Sequence, residues 1–560
     1  MAYRPKSILA RLALCTLLTT VVFWGTWSTA GSRLIGDEGL DVWSHAWGIR
    51  WFFNHLSSGQ IPWDVAGLAH PRGGTLWYID PLGAIVSIPS QLLGGPVWAH
   101  NSILFFQVLL AAAAAMLFAR SIGGRGWIAA AALATAPTFL AEIHNGTVEA
   151  CWIGLVPLAG YAATRNRLLG GAAVGLAGLA TPYHGIAAAL VVGTILLLEP
   201  HTKASRPWMP KLRDAVIAGA VAVLIALPAF LILKANLDDP MGIAKKSIVV
   251  MNFPVFKINA VDPIALVKPG DFWTVHLEGA NTSPFRRTPY LGLGLLFLVI
   301  PLWIRNRQTR WWILPAGITT VFALGPFLWH DGDFVRTSGG DLLALPFRAL
   351  LGLGVTMDHP LRFISGAVTI LAVLADVSAR KIEHRVPIPS AIWTLAIGVG
   401  LVTEHLTLAP NVWPLQTADG SLPSVYASLQ DDSAVIDLPA ARGESIATNR
   451  YLYWQALHGR PIPYSHKVGP DLPTMNPALK TWADLSRSGP RRTDDPGRLP
   501  PGVSIKRGVQ SLAAAGYRWV VVHPELFAND SVRAAHNHAL QEAIGQPFQL
   551  GDRWVWEIAP

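Results

Sequence analysis

The sequence has 560 residues, of which 51% are hydrophobic and only 14% are charged, and it contains 23 tryptophans. This composition exceeds the apolar content of most water-soluble folds and predicts a membrane protein. The formal net charge of +9 does not indicate nucleic-acid binding, because the basic residues form short clusters between apolar segments. The two cysteines, Cys15 and Cys151, both lie in apolar segments, which excludes a disulfide framework and a CxxC metal site.

Apolar segments recur along the first 406 residues, and a helix that crosses a bilayer needs roughly 20 apolar residues. We predict about eleven membrane spans, at residues 8–30, 97–119, 126–141, 149–164, 167–181, 183–198, 214–233, 289–304, 311–329, 361–379 and 387–406. The first span is predicted to be an uncleaved anchor, because its apolar run is longer than the hydrophobic region of a usual signal peptide. A secretory signal cleaved at Ala30 is the alternative.

The basic residues assign the connecting segments to the two sides of the membrane. Lys and Arg cluster in alternate loops, from RPK at the start to ARKIEHR at 379–385, and loops of this kind are usually cytoplasmic. The N-terminus is therefore predicted to be cytoplasmic and the C-terminus to be outside. The outer loops are predicted at residues 31–96, 141–149, 234–288 and 330–360.

Proline positions decide two ambiguous stretches. Residues 167–198 are predicted to form a helical hairpin and not one long helix, because Pro182 would break a continuous helix. The segment 79–95 is apolar but interrupted by Pro and Gly. It is predicted to be an interfacial or re-entrant helix, since counting it as a span would invert every later loop.

The composition after residue 408 changes to that of a soluble domain. The runs AVIDLP (434–439), YRWVVVH (517–523) and RWVWEI (553–558) predict strands, whereas GVQSLAAAG and residues 524–544 predict helices. The stretch 470–501 is rich in Pro, Arg, Ser and Asp and is predicted to be a loop. The expected fold class is a polytopic α-helical membrane protein, with a transmembrane domain at 1–408 and a soluble, extracytoplasmic α/β domain at 409–560.

The first outer loop opens with GDEGLDVWSHAW (36–47), which places three carboxylates directly after the first span. If Asp37 and Asp41 lie on one helical turn, their spacing of four puts both on one face, with His45 a further turn along. Such a stripe can act as a general base toward a hydroxyl or bind a divalent cation through oxygen ligands. The alternative is a solvated cap, in which Asp37 caps the helix that continues through WSHAWGIRWFFNHL.

Several blocks along the chain carry a resemblance to a known family. They are GDEGLDVW, HPRGGTLWYIDPLG, HNGTVEACWIGLVPLAGYA, ATPYHGIAAAL, LPFRALLGLGVTMDHPLRFISGAVTILAVLA, VYASLQDDSAVIDLP, LHGRPIPYSHKVGP and LAAAGYRWVVVH. In this order they resemble GT-C type integral membrane glycosyltransferases, above all the bacterial members related to protein mannosyltransferases and ArnT-like enzymes. His184 stands where that family's helical break carries a second tyrosine.

The resemblance implies a function at the membrane. Enzymes of this family transfer a sugar from a polyprenyl-phosphate donor to a glycan, lipid or protein acceptor at the outer face of the membrane. An acidic residue after their first span serves as base or metal ligand, and this position matches Asp37, with Asp41 as the second candidate. The implied cofactor is a divalent cation, Mg²⁺ or Mn²⁺, and the implied location is the bacterial cytoplasmic membrane.

The donor phosphate requires a cation at the same membrane face, and arginine forms strong paired hydrogen bonds to phosphate. Arg348 and Arg362 flank the loop before the tenth span, and His359 lies between them. These three residues are candidate substrate ligands. The alternative for the arginines is that they extend to the membrane interface without binding substrate, and for His359 that it is an ordinary loop histidine.

Three further residues are substrate-binding candidates. His144 and Glu149 bracket the start of the fourth span, and His184 follows Pro182. Alternatively, Glu149 stabilises the first turn of its helix through the helix dipole, and His184 bonds backbone groups that the break leaves open. Asp80, which precedes Pro81, is predicted to cap the interfacial helix.

Two other functions remain compatible with the sequence. A transporter or flippase for a lipid or saccharide would place charged residues near the bilayer midplane. Here the acids gather at one interface, and Asp376 and Glu404 lie near span ends. The other alternative is a non-catalytic membrane scaffold for envelope assembly.

Overall fold

The computed structural model describes residues 5–74, 80–198, 207–238, 259–269, 286–306, 309–330, 333–352, 357, 359–383, 387–409, 412–440, 446–465, 476–488 and 502–558. Most of the predicted outer loop 234–288 lies outside these residues. The chain divides into two compact units. The first comprises Met1–Leu40, Asp80–Phe230 and Lys246–Ala418, and the second comprises Asp41–Ile79, Leu231–Lys245 and Asp419–Pro560.

The first unit is built almost entirely of helices. Its α-helices are Pro5–Val22, Pro81–Ser121, Trp127–Ala134, Pro137–Asn145, Leu155–Arg165, Arg167–Ala180, Pro182–Gly193, Leu293–Arg305, Ile313–Ala323, Phe347–Gly352, Ile364–Glu383 and Ser390–Thr407, and the helix Trp208–Asp238 begins in this unit. Short 3-10 or π turns lie at Trp27–Thr29, Val148–Gly154, Thr194–Leu198, Pro263–Leu266, Thr309–Trp312 and Pro360–Phe363. Its short strands are Arg33–Ile35, Trp329–His330 and Asp333–Phe334, and the strand Thr417–Asp419 begins in this unit.

Three helices among the described residues are long and apolar enough to cross a membrane, namely Pro81–Ser121, Trp208–Ile232 and Pro360–Glu383. Four shorter apolar helices accompany them, at Ile8–Val22, Arg167–Ala180, Pro182–Leu198 and Leu293–Arg305. These helices agree with a membrane protein. The predicted total of eleven spans stays a prediction.

Prolines and glycines set the helix breaks. Thr181 is extended (φ −162°, ψ 140°) and Pro182 begins the next helix, so the predicted break within 167–198 is confirmed. The predicted span 126–141 is divided into two helices in the structure, because Ala136 before Pro137 leaves the helical region (ψ 132°), as residues before proline tend to do. Within Pro81–Ser121, Gly95 interrupts the helix at φ +76°, a conformation that favours glycine.

Two acids near predicted span ends hold the starts of other helices. Asp376 Oδ1 accepts hydrogen bonds from the backbone N–H groups of Arg125 (2.5 Å) and Gly126 (2.8 Å), and its Oδ2 accepts from Ile128 (2.9 Å). Glu404 accepts from the N–H groups of the helix that begins at Leu293, at 2.7 Å for Oε1. A helix start leaves these donors without intrahelical partners. Both acids therefore stabilise the starts of helices. Their position near predicted span ends does not indicate a transport function.

We expect Asp376→Asn to destabilise the protein, because the variant keeps one acceptor oxygen but turns an amide NH₂ group toward backbone donors. Hydrogen bonds to charged groups contribute about 1.5–3 kcal/mol each, so the loss should appear as a lower melting temperature in detergent. Glu38→Gln is the control, since Glu38 is exposed. Equal melting temperatures for the two variants would contradict the role of Asp376.

The second unit contains a four-stranded mixed sheet. Ala434–Leu438 pairs in parallel with Tyr517–Val522, which pairs antiparallel with Arg553–Glu557, and Phe548–Leu550 lies at the far edge. The first three strands lie on the predicted strand-like runs. The α-helices of this unit are Val42–Ser57, Val425–Ser428, Ile446–His458, Pro477–Ser488, Gly502–Ala514 and Asp530–Ile544.

Two features of the second unit differ from the prediction. Helix Pro477–Ser488 lies inside the predicted loop 470–501, because Asn476 caps its first turn and Leu479 and Trp482 are fully buried. Helix Val42–Ser57 of the first outer loop packs against Ile446–His458, so residues 41–79 are grouped with the C-terminal part. The end of the membrane domain at residue 408 stays a prediction.

Candidate active site

Asp37 is held at the end of strand Arg33–Ile35 by contacts with helix Pro137–Asn145. Gly36 turns the chain with φ +137°, and the Asp37 N–H then donates to the carbonyl oxygen of His144 at 2.8 Å. Its Oδ1 accepts the Gly39 N–H at 2.8 Å, and its Oδ2 lies 3.7 Å from Nε2 of His144. The Asp37 side chain is 15% exposed and that of His144 is 3% exposed. A partly accessible carboxylate therefore faces a buried imidazole.

The position of His144 follows from the end of its helix. Gly146 ends Pro137–Asn145 with φ +75°, a conformation that favours glycine. The neighbouring Asn145 donates to the Arg286 carbonyl oxygen and accepts the Arg286 N–H, both at 2.8 Å. These contacts fix the loop that presents His144 to Asp37.

Arg362 lies between two glutamates of the same unit. Its Nε is 3.2 Å from Oε1 of Glu142 and its Nη1 is 3.0 Å from Oε1 of Glu149. All three side chains are at most 14% exposed, and Glu142 also accepts a hydrogen bond from the Thr147 hydroxyl. Two carboxylates and one guanidinium leave this trio with a formal charge of −1.

Aromatic and hydroxyl groups surround Arg362. The guanidinium carbon lies 5.9 Å from the centre of the Tyr183 ring, and the Tyr183 hydroxyl accepts the N–H of His359 at 2.8 Å. The ring nitrogens of His184 are 2.8 Å from the Ala150 carbonyl oxygen and 3.0 Å from the Ser365 hydroxyl. Both ring nitrogens of the buried His184 are therefore engaged within the protein, and its predicted role in substrate binding stays a prediction.

Asp80 caps the helix that begins at Pro81, as predicted. Its Oδ1 accepts the Gly83 N–H at 2.8 Å and its Oδ2 accepts the indole N–H of Trp152 at 3.0 Å. Burial raises the pKa of Asp80 to about 6, assisted by the nearby charge of Glu149 and opposed by these two hydrogen bonds.

Seven of the predicted site residues belong to the first unit, namely Asp37, His144, Glu149, His184, Arg348, His359 and Arg362. Among them, Asp37 contacts His144 and Glu149 contacts Arg362. Arg348 is exposed, and its guanidinium carbon lies 5.5 Å from the centre of the Phe327 ring. Asp41 and His45 belong to the second unit. Asp41 directly precedes helix Val42–Ser57 and its backbone oxygen accepts the His45 N–H.

The expected turn that joins Asp37 to Asp41 on one helical face is wrong, because the helix begins only at Val42 and Asp37 lies in the preceding turn. Glu142, the second partner of Arg362, was not predicted from the sequence. Its seven-residue spacing from Glu149, in a chain with few acids, is the pattern that could have indicated it.

The described residues contain no group of three or more His, Cys, Asp or Glu that could hold a metal ion. Magnesium is usually bound through one or two carboxylates together with substrate phosphates. The residues described here therefore do not form a protein-only metal site. The metal-ligand roles of Asp37 and Asp41 stay predictions.

The fold of this chain resembles those of several solved membrane proteins. No family model and no curated protein matches the chain. The structure of the arabinofuranosyltransferase AftD from Mycobacteria matches with a TM-score of 0.54 at 15% identity, over 100% of this chain and 40% of that one. ArnT from Cupriavidus metallidurans matches at 14% identity with a TM-score of 0.48, over 99% of this chain and 98% of that one. The Archaeoglobus fulgidus oligosaccharyltransferase matches at 12% identity with a TM-score of 0.48, over 92% and 70% of the respective chains.

These neighbours are GT-C glycosyltransferases. The resemblance drawn from the sequence is therefore confirmed at the level of the fold, which rests on the match to AftD. The chain spans about 40% of the length of that protein.

Proposed function

We propose that the chain is a GT-C type glycosyltransferase. It transfers a sugar from a polyprenyl-phosphate-linked donor to a hydroxyl group of a cell-envelope glycan, lipid or protein at the outer face of the membrane. The observation that carries this proposal is the position of Asp37: in the fold of a membrane glycosyltransferase, the carboxylate that follows the first helix is fixed against a buried imidazole 3.7 Å away.

The proposed reaction is a single displacement at the anomeric carbon. The acceptor hydroxyl oxygen attacks this carbon, the bond from the carbon to the phosphate oxygen breaks, and the electron pair leaves with the polyprenyl phosphate. Asp37 takes the hydroxyl proton on Oδ2, because its Oδ1 already accepts the Gly39 N–H. A positioned carboxylate can act in this way as a general base, and one displacement inverts the anomeric configuration.

Negative charge grows on the departing phosphate and needs a cation at the same face. Arg362 already pairs with two carboxylates, so its capacity for a third anion is reduced. Arg348, which is exposed on the outer segment before the tenth predicted span, is the stronger candidate for the phosphate ligand. His359 lies between the two arginines and is the second candidate.

We expect Arg348→Gln to raise the KM for the donor about tenfold, because it removes a charge-assisted hydrogen bond to the phosphate. Arg348→Lys should keep part of the affinity, since lysine binds phosphate as a point charge. The control is Arg336→Gln, an exposed arginine of the same outer segment. An unchanged KM in Arg348→Gln would remove this residue from the donor site.

The proposed membrane arrangement is the predicted one, with about eleven spans in the bacterial cytoplasmic membrane and the C-terminal α/β part outside. The test of the proposed function is a transfer assay with the purified full-length chain in lipid nanodiscs. AftD is an arabinofuranosyltransferase by name, so polyprenyl-phosphate-linked arabinofuranose is the first donor to try, followed by hexose donors. Release of polyprenyl phosphate together with a glycosylated acceptor is the expected result, and no product with any donor would refute the proposal.

We also propose that Asp37 or Asp41 binds a divalent cation, and this proposal has a separate test. If Mg²⁺ or Mn²⁺ is bound by Asp37 or Asp41 together with the donor phosphate, EDTA should abolish transfer and either ion should restore it. An unchanged rate in EDTA would contradict the proposed metal site and leave Asp37 as the base.

A further inference from the structure

The first unit contains an apolar groove that shares no residue with the Asp37 cluster, by which we mean the candidate site residues Asp37, Glu142, His144, Glu149 and Arg362. It has a volume of about 510 Å³ and lies between helix Pro5–Val22 and helix Ser390–Thr407, with helix Trp127–Ala134 as its floor. Leu17, Leu395 and Val399 line it and are 58%, 66% and 56% exposed. The groove is therefore open along its side.

The composition of the floor explains why the groove exists. Helix Trp127–Ala134 has the sequence WIAAAALA and packs against both flanking helices. Alanine side chains fill little volume, so the larger side chains of the two walls stay apart above Ala131. Because Asp376 fixes the start of this helix, the floor has a defined position.

Positive charge gathers at one end of the groove. Arg125 lines the groove, donates to the Ser390 hydroxyl at 3.0 Å and pairs with Glu383, yet its side chain is still 37% exposed. Arg380 donates to the Gly123 carbonyl oxygen at 2.9 Å and Lys381 follows it. Arg120 and Lys381, which lie close in sequence to Gly123 and Arg380, are both exposed.

We propose that this groove binds one hydrocarbon chain of an anionic phospholipid, with the lipid phosphate at Arg125. The groove has apolar walls and a cationic end. It is therefore complementary to an amphiphile with an apolar chain and a negatively charged head group. Its volume falls within the usual range of about 300–1,000 Å³ for ligand sites. Residues 391–403 of one wall rise about 18 Å at 1.5 Å per residue, which gives a chain a long contact.

A membrane lipid is the occupant because the wall helix coincides with the predicted span 387–406, whose exposed face meets the bilayer. Basic clusters at the end of such spans attract anionic lipids. The proposal is independent of the proposed glycosyl transfer, because none of its residues belongs to the Asp37 cluster.

The test is native mass spectrometry of the full-length protein, purified with phosphatidylglycerol or with phosphatidylcholine of the same acyl chains. We expect phosphatidylglycerol to be retained about tenfold more strongly, since hydrogen bonds between charged groups are worth this much. The variant Arg125→Gln/Glu383→Gln should remove the preference. It removes both charges together, so that no buried carboxylate is left without its cation.

A second variant tests the groove without changing any charge. A Cβ atom on Gly398 meets no described atom within 4 Å, so Gly398→Leu should fill the groove without a clash and expel the lipid. Gly400→Leu is the matched control, since Gly400 is equally open but does not line the groove. Equal retention of the two lipids, equal retention by the two glycine variants, or retention of polyprenyl phosphate in place of phosphatidylglycerol would each overturn the proposal.

Discussion

Asp37→Asn is expected to lower the transfer rate by a factor of about 10²–10⁴, the usual contribution of a general base. Asparagine has nearly the same shape, and its oxygen can still accept the Gly39 N–H that Oδ1 accepts at 2.8 Å. The other position becomes an NH₂ group, which cannot take a proton from the acceptor hydroxyl. The melting temperature should therefore change little while kcat falls.

Glu38→Gln is the matched control for this variant, because Glu38 is the adjacent carboxylate and is exposed. We expect it to keep its full rate. Activity of Asp37→Asn at the level of Glu38→Gln would show that Asp37 is not the base. A fall in melting temperature that accompanies the loss of rate would assign Asp37 a structural role instead.

Arg362→Met is expected to cause the largest loss of stability among the site variants. It leaves the buried Glu149 and the largely buried Glu142 without the guanidinium that lies within 3.2 Å of both. Removing one partner of a buried ion pair costs about 3–5 kcal/mol. Because a chain of this size need not unfold in one step, the effect is best measured as the melting temperature of the purified protein in detergent.

The compensated variant Glu142→Gln/Arg362→Met/Glu149→Gln separates charge from packing. It removes the positive and the negative groups together, so it should regain most of the lost stability. If Arg348 is the phosphate ligand, this triple variant should also keep the KM for the donor. A triple variant that is no more stable than Arg362→Met would contradict the ion-cluster account.

Local rules predicted those parts of the fold that depend on single residues. Pro182 indicated the break at Thr181, because proline cannot continue a helix without losing a hydrogen bond. Pro137 breaks the helix by the same rule, although the continuous hydropathy of 126–141 favours a single span. The helix Pro477–Ser488 was missed because the average composition of 470–501 concealed the buried residues Leu479 and Trp482.

The candidate site was only partly predictable, because its contacts join distant segments. Arg362 meets Glu142 from 220 residues along the chain, and no spacing rule reports such a pair. Asp37 was found from its position after the first apolar segment. Its imidazole partner at His144 depends on the Gly146 turn and on the pairing of Asn145 with Arg286, which only the folded chain shows.

The most direct measurement is a cryo-electron microscopy structure of the full-length protein with a non-transferable polyprenyl-phosphosugar analogue. We expect the sugar to lie beside Asp37, with room for an acceptor hydroxyl about 3 Å from Oδ2 and with the phosphate near Arg348. An analogue bound elsewhere, with the Asp37 carboxylate remote from the anomeric carbon, would contradict this expectation.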